Sequence, residues 1–412
     1  MMSNLPCELL DHIFDLLHDS QPFGQIPLDL RNCCLVSKSW IPRTRRHLFA
    51  EIHFQTAKSL RLWKKTFRNR STSAARYTKC LIIGGPKVLT AADAKASSWL
   101  KGFSRVVRLK LVEQDPFCSG WWIACVLFRG FSPVIKSLHV DFTPLIVYPA
   151  SELFNLILSF PLLEDLSVAK SYYAWVGSSS DSDEPLALVQ PSSLYTFTGT
   201  LDLSLRGGTE SFIRWLLSLP DCIHFRKFIL EWVCNEDISL TVELMERYSH
   251  VLKSLDIATN SSYGTSIGDP IHRYGGNLLL FPADPRSVSF NLSKATKLVD
   301  VVFRPRMMRV EWISHALRVV TLEHRDLRRI SVDVPYYSNN FYFDGDIRGA
   351  IGERLFKEWL DLDRILVHLW ESFSIRPNVR WRTGMGRNVV ADHVECLLPR
   401  MTRRGMVTVN PV

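Results

Sequence analysis

The sequence has no long apolar run and no paired cysteine motif. Its most apolar stretch, residues 153–163, is broken by Pro161 and falls short of the roughly 18 residues that a membrane-spanning helix needs. The first residues show no signal-peptide profile. The nine cysteines are scattered and form no C-x-x-C pair, which favours reduced, buried thiols over a disulfide framework. We therefore expect a folded protein of the cytosol or the nucleus that does not enter a membrane.

The usual signatures of catalysis are missing as well. There is no G-x-S-x-G elbow, no P-loop and no G-x-G-x-x-G after a strand. His393 and Cys396 are three residues apart, but two candidate ligands without a second pair make a weak metal site. One predicted helix holds Asp361, Asp363, His368 and Glu371, where a solvated face explains them better than a catalytic set. We expect no enzyme, no metal and no cofactor.

What the sequence does have is an excess of positive charge. The formal net charge is +9 over 412 residues. Basic residues are dense between Arg61 and Arg70, where Leu60, Trp63 and Phe67 recur at helical spacing. The plain interpretation is an amphipathic helix with a solvated basic face. Contact with a polyanion, or a nuclear-import patch, is the alternative.

The most informative segment spans residues 5–49. Pro6 suits the first turn of a helix, and six apolar residues from Leu9 to Leu17 then recur at helical spacing. Proline and glycine residues mark a loop at 22–27, and two further short helical elements follow, up to Phe49. So short a segment buries little surface by itself, so its wide apolar stripe indicates an interface. A helical cap on the chain's own larger core is the alternative.

The motifs of this segment, in order, are LP-x-E-LL-x-x-IF, LVSKSW and a closing LF, and together they resemble an F-box. In that family the module docks on the small Skp-type adaptor of cullin-based SCF ubiquitin ligases, so the resemblance implies a substrate receptor that performs no catalysis. In style the chain is most similar to the large F-box receptor families of fungi. The resemblance implies that the matching apolar positions contact the adaptor: Leu5, Pro6, Leu9, Leu10, Ile13, Phe14, Leu17, Leu35, Val36 and Trp40.

A second pattern, Φ-x-x-Φ-x-Φ with Φ apolar, returns along the rest of the chain. The middle positions of its copies are Ile52, Cys80, Leu109, Leu138, Leu166, Phe228, Leu255, Val301 and Ile330. Most steps are 27–29 residues, and a helical stretch precedes nearly every copy. This period resembles degenerate leucine-rich repeats. The resemblance implies an α/β protein, with a three-helix F-box at 1–50 and a solenoid of parallel sheet and outer helices at 51–412.

Three further segments give expectations within that plan. The acidic, proline-containing insertion at 176–193 favours disorder, with a phosphorylatable or partner-binding tip as the alternative. The insertion at 260–285, rich in glycine and proline, is left open between order and disorder. An apolar helical pattern at 356–370 is predicted to close the stack as a C-terminal cap, because a repeat array needs its last unit covered.

Outward strand positions flank each middle apolar residue and are the predicted substrate surface: Arg108, Lys110, His139, Asp165, Lys227, Asp256 and Arg329. Their mixed charges favour a protein or peptide over nucleic acid. The sequence therefore predicts the substrate-recognition subunit of an SCF-type ligase, which binds an unidentified protein substrate. The alternatives are an adaptor-bound scaffold without degradation and a basic protein associated with nucleic acid.

Overall fold

The structure is a computed structural model of the chain. It describes residues 6–19, 28–67, 74–85, 88–90, 92–93, 97–114, 123–124, 127–128, 131, 134–142, 150–170, 200–206, 210–218, 224–232, 235–259, 291–305, 310–336, 352–383 and 387–411. Leu5 and the expectations for the insertions at 176–193 and 260–285 lie outside these residues.

Three helices occupy the N-terminal part: α1 (Cys7–Asp19), α2 (Leu28–Val36) and α3 (Ile41–Leu48). The Pro6 carbonyl accepts hydrogen bonds from the N–H groups of Leu9 and Leu10, at 3.1 and 3.2 Å, and so begins α1. Pro42 lies in the first turn of α3, where its missing N–H costs no hydrogen bond. The three helices pack against one another.

Twelve parallel strands follow one another in the order of the chain. The strands are β1 (Glu51–Phe54), β2 (Cys80–Gly84), β3 (Arg108–Gln114), β4 (Ser137–Phe142), β5 (Asp165–Lys170), β6 (Thr200–Arg206), β7 (His224–Trp232), β8 (Ser254–Thr259), β9 (Asp300–Arg304), β10 (Arg329–Tyr336), β11 (Arg376–Thr383) and β12 (Val407–Pro411). The middle residue of every predicted copy of the apolar pattern lies in one of these strands. The predicted α/β class with a parallel sheet is confirmed.

Helices recur between the strands. They are α4 (Ala57–Thr66), α5 (Ala150–Leu158), α6 (Glu210–Ser218), α7 (Asn235–Tyr248), α8 (Glu311–Arg318), α9 (Glu353–Phe373), α10 (Arg387–Leu397) and α11 (Pro399–Arg403). Helix α9 contains the apolar pattern that was predicted to cap the chain, but β11 and β12 follow it. The expectation that this helix closes the stack is therefore wrong. None of the helices in the described residues is both long and apolar enough to cross a membrane.

The register of the first strands corrects one predicted position. Leu81, not Cys80, pairs with Ile52 on one side and with Leu109 on the other. Cys80 is also buried, and burial, followed by the nearby Glu51 carboxylate, raises the pKa of its thiol to about 11. A thiol with that pKa stays protonated, so Cys80 serves as a small apolar core residue.

The chain divides into two compact units, Met1–Gly199 and Thr200–Val412. The domain boundary predicted at residue 50 lies inside the first unit. In the second unit the inward strand positions are buried, and the indoles of Trp359 and Trp381 pack with their centroids 5.2 Å apart.

Asp363 on α9 departs from the solvated face predicted for its helix. It is buried, and its carboxylate accepts hydrogen bonds from the N–H groups of Arg400 and Met401, at 3.2 and 2.9 Å. These groups lie in the first turn of α11, where intrahelical partners are lacking. Burial raises the pKa of Asp363 above its ordinary value, although the two N–H donors act in the opposite direction.

Candidate functional site

An internal core holds the three N-terminal helices together. It consists of Leu10, Phe14 and Leu30, with Leu17, Cys33, Trp40 and Leu48 packed against them. The ring of Phe14 meets that of Trp40 edge-on, with centroids 5.7 Å apart and planes at 71°. Aromatic pairs prefer this arrangement because the positive edge of one ring faces the negative face of the other. These helices therefore have a core of their own.

Polar contacts fix α3 against the other two helices. Arg43 Nη1 donates to Asp11 Oδ1 on α1 at 2.9 Å. The buried Thr44 hydroxyl donates to the Trp40 carbonyl at 3.0 Å and lies 2.9 Å from the Cys34 sulfur on α2. Because side chains from all three helices take part, the helices are held in one arrangement.

A second set of apolar side chains on α1 and α2 is exposed to solvent. This outer apolar face consists of Leu9, Ile13 and Leu16 on α1 and Leu35 and Val36 on α2, which are 50, 40, 56, 86 and 61% exposed. On α1 the spacing is i, i+4, i+7, which places the side chains on one side of the helix. Nine large apolar side chains are exposed in the described residues, and five of them lie here. Concentrations of exposed apolar side chains of this kind are typical of interaction surfaces.

The residues predicted to contact an adaptor fall into two groups. Leu9, Ile13, Leu35 and Val36 belong to the outer apolar face. Leu10, Phe14, Leu17 and Trp40 belong to the internal core, although Leu17 and Trp40 are only half-buried. Pro6 is exposed at the start of α1. Leu16 was part of the apolar stripe predicted from the sequence but was not among the predicted adaptor contacts, although it lies seven residues after Leu9 on the same side of the helix.

In the first unit the predicted substrate residues lie together on three adjacent strands. Arg108 pairs with Ser137, which pairs with Asp165, while Lys110 pairs with His139. Arg108 and Asp165 are exposed, and Lys110 and His139 are half-buried. The Ser137 hydroxyl donates to Asp165 Oδ2 at 2.8 Å. The strands thus present polar side chains of both signs side by side.

In the second unit two of the predicted substrate residues lie in one row across the sheet. Lys227 on β7 pairs with Ser254, Ser254 pairs with Asp300, and Asp300 pairs with Arg329 on β10. Arg329 Nε donates to Asp300 Oδ1 at 3.0 Å, and both side chains remain partly exposed.

Asp256, the third predicted substrate residue of this unit, is only 7% exposed. Its Oδ2 accepts a hydrogen bond from Arg304 Nη2 at 2.6 Å. Arg304 also lies 3.9 Å from Asp333, which in turn lies 3.5 Å from Arg380. Acid and base alternate across β8–β11, and we call these four residues the compensated row. Asp256 therefore does not present its charge to a partner, which corrects the sequence-based expectation.

The sequence contained a signal for two more residues of the compensated row. Arg304 and Asp333 each follow the middle apolar residue of their strand, Val301 or Ile330, by three positions. Because inward and outward side chains alternate along a strand, a residue at this offset lies on the outward face. Sequence reasoning considered only the positions directly beside the middle residue and so missed it.

The residues described by the structure give no support to a metal centre. No three His, Cys, Asp or Glu side chains among them gather as ligands. His393 is buried and Cys396 is exposed on the same helix, α10. The weak pair identified in the sequence therefore gains no third ligand in that part of the chain.

Comparison of the chain with protein-family models found no match, and neither did comparison with curated proteins. The F-box resemblance of residues 5–49 is neither supported nor opposed by these comparisons. Function is therefore inferred from the residues and the geometry described above.

Proposed function

We propose that this protein is the substrate-recognition subunit of an SCF-type ubiquitin ligase. Residues 1–50 form an F-box that docks a Skp-type adaptor and, through it, a cullin. The observation that carries the proposal is the outer apolar face, which stays in water although the helices beneath it have a core of their own. The helices do not need these side chains to pack, and the resemblance of residues 5–49 supplies a partner that would cover them.

The size of the outer apolar face fits a docking role that also needs polar contacts. A fully buried side chain of this kind contributes about 1.5–3 kcal/mol, so covering the exposed parts of five is worth on the order of 5 kcal/mol. That figure only reaches the lower end of the roughly 4–15 kcal/mol that association costs. Exposed polar residues beside the face, Glu8, His12 and Arg31, are the expected further contacts.

For residues 51–412 we propose a solenoid similar to degenerate leucine-rich repeats. The paired residues Ile52, Leu81, Leu109, Leu138 and Leu166 are 29, 28, 29 and 28 residues apart. A near-constant step between neighbouring parallel strands is what stacked repeats produce. The parallel order of the strands along the chain supports the same interpretation.

The proposed role of the sheet is to hold a protein substrate, with no chemistry of its own. Outward side chains such as Arg108, Lys110 and His139 on adjacent strands offer mixed polar contacts. Holding a substrate beside an enzyme raises its effective concentration, which is a sufficient contribution for a receptor. Such a protein acts in the cytosol or the nucleus, where ubiquitin ligases of this type work.

The adaptor contact is tested by co-purification of the full-length chain with a recombinant Skp-type adaptor. Leu9→Asp combined with Ile13→Asp places two charges on the outer apolar face without touching the internal core, and we expect it to abolish the complex. Leu62→Asp is the matched control, because Leu62 on α4 is 63% exposed and lies outside residues 1–50. Circular dichroism verifies that both variants fold. Undiminished co-purification of the double variant overturns the adaptor assignment.

A second experiment separates a degradative receptor from an adaptor-bound scaffold. Proximity labelling is performed with the full chain and with a chain that lacks residues 1–50, each with and without proteasome inhibition. A receptor predicts partners that accumulate when the segment is absent or the proteasome is blocked. Partners whose abundance is the same in all four conditions indicate a scaffold.

A further inference from the structure

The N-terminal edge of the sheet in the second unit is lined by cations. We call this set the basic edge: Arg226, Lys227, Lys253, Arg328, Arg329 and Arg376. Backbone hydrogen bonds connect its strands in succession, from the N–H of Lys253 to the Arg226 carbonyl at 2.9 Å and from the N–H of Arg376 to the Arg328 carbonyl at 2.9 Å. Between them, Val299 donates to Lys253 and accepts from Arg328. The basic edge therefore runs across five neighbouring strands, β7–β11.

Acidic residues neutralise only part of the basic edge. Asp202 accepts two hydrogen bonds from Arg226, both 2.8 Å long, and Asp300 accepts one from Arg329. Lys227, Lys253, Arg328 and Arg376 form no side-chain ion pair within the described part of the chain. The turns before β9 and β10 add three cations and two acids: Lys294, Lys297, Arg325, Glu323 and Asp326. The edge thus keeps a clear positive excess.

The compensated row shows that these strands can neutralise their own charges. There, Arg304 and Arg380 alternate with two buried aspartates, at separations between 2.6 and 3.9 Å. At the basic edge Lys253, Arg328 and Arg376 are exposed, with no acid provided for them. Unpaired cations at this spacing repel one another, so their proximity does not stabilise the fold. An external anion would remove that repulsion.

The shape and surroundings of the basic edge favour an acidic polypeptide over nucleic acid. Four strand-to-strand steps of about 4.8 Å span roughly 19 Å, a length that about six extended residues cover. Single-stranded nucleic acid is usually held by aromatic rings on which bases stack. Phe225, beside Arg226, is instead buried against Tyr248, with ring centroids 4.7 Å apart, so it offers no free face to a base.

We propose that the basic edge binds an extended acidic segment of a protein substrate. The inference rests on the proposed receptor function and adds the chemical class of what is received. Carboxylates of the bound segment pair with Lys227, Lys253, Arg328 and Arg376, which have no acidic partner of their own in the described chain. Because the pairs are exposed, binding weakens as salt concentration rises.

The test is fluorescence anisotropy with a labelled glutamate peptide of about ten residues, somewhat longer than the roughly six needed to span the edge. The full-length protein is compared with the variant Lys253→Glu, Arg328→Glu. Two lost attractions and two new repulsions at exposed sites are expected to weaken binding about tenfold or more. The milder variant Lys253→Gln, Arg328→Gln is expected to lie between the two, and thermal unfolding verifies that each variant folds.

The matched control is Lys58→Glu with Lys65→Glu on the exposed side of α4. Both double reversals lower the formal net charge from +9 to +5, so a difference between them reports position and not total charge. Control binding within about twofold of the unchanged protein is the expected result. Equal weakening by both double reversals, or no binding of the peptide at all, overturns the proposal.

Two parallel arms separate this proposal from its rivals. A single-stranded or duplex oligonucleotide of the same charge is measured beside the peptide, and tighter binding of either overturns the peptide assignment. Adaptor co-purification is measured on the same proteins. The edge variant is expected to keep the adaptor, while Leu9→Asp, Ile13→Asp is expected to keep the peptide. Loss of peptide binding at the basic edge can therefore be distinguished from loss of adaptor binding, so each proposal can fail independently of the other.

Discussion

The N-terminal helices and the sheet of the second unit differ in which of their surface side chains find partners within the chain. In strands β7–β10 the apolar side chains lie inward, and several charged residues of the outward face meet partners on the next strand, as Asp256 meets Arg304. Helices α1 and α2 instead bury one set of apolar side chains and leave another set of similar size in water. The sheet pairs several of its outward charges across neighbouring strands. On the helices, an apolar face stays exposed in the described structure.

This difference distinguishes residues that stabilise the fold from exposed residues that contribute little to its stability. On α1 the two kinds are direct neighbours, since Phe14 is fully buried while Ile13 is exposed. On the sheet they lie close in the chain, because Asp333 belongs to β10 and Arg328, which has no ion pair in the described residues, directly precedes that strand. Substituting both members of such a pair and comparing the two losses of stability therefore tests this distinction directly.

The largest expected effect on stability is at Phe14. Phe14→Ala leaves a cavity under α1 and loses the edge-on contact with Trp40, which costs about 3–5 kcal/mol. Ile13→Ala removes an exposed side chain and is expected to change stability by less than about 0.5 kcal/mol. Hydrogen exchange of the backbone in α1–α3 measures both variants locally, which avoids treating two units as one transition. Comparable losses of stability at both positions would show that Ile13 also stabilises the helices, contrary to the proposed distinction.

A smaller effect is expected in the compensated row. Asp333→Ala leaves Arg304 with one carboxylate and Arg380 without its observed partner, at a cost of about 1–3 kcal/mol. Arg328→Gln at the basic edge removes an exposed, unpaired cation and is expected to leave stability unchanged or slightly raised. Urea unfolding followed by tryptophan fluorescence compares the two variants. A larger loss from Arg328→Gln than from Asp333→Ala would show that the edge serves the fold and not a partner.

The strands were predictable because most of them repeat one apolar spacing, but the exceptions have physical causes. In β2, residues 80–84 are all buried, so alternation is lost and the sequence gives no reason to choose Leu81 over Cys80. In β11, Pro377 takes the place that Ile330 has in β10, and the apolar pattern fails there. Strand β12 is short, and Arg404 stands where the pattern needs its first apolar residue, three positions before Val407. The sheet therefore continues beyond the helix that was predicted to close it.

The sequence predicted the apolar residues of α1, but it did not predict which of them are buried and which are exposed. Leu9 and Ile13 have the same spacing as Leu10 and Phe14, so the helical pattern alone does not say which pair faces inward. That choice depends on where Trp40 docks, about thirty residues later in the chain. The burial of Asp256 likewise depends on Arg304, which is 48 residues away. Contacts between distant segments leave no local trace in a sequence.

The smallest expected effect concerns a buried acid that has backbone donors in place of a cation. Burial raises the pKa of Asp363 in the folded chain above its ordinary 3.8, so near that value the folded state binds more protons than the unfolded state. Stability then falls as pH rises from about the ordinary pKa through the raised folded pKa, because ionisation costs more in the buried site.

Asp363→Asn cannot ionise and is the control for this effect. We expect the wild-type protein to lose stability relative to Asp363→Asn as the pH rises from about 4 to about 7, with unfolding by urea measured at each step. If the gap between the two proteins stays constant, the N–H groups of Arg400 and Met401 balance the effect of burial, and if it moves the other way they outweigh it. The α11 backbone would then neutralise Asp363 as well as two arginines neutralise Asp333. In that case both of these buried acids would have their charge compensated within the chain.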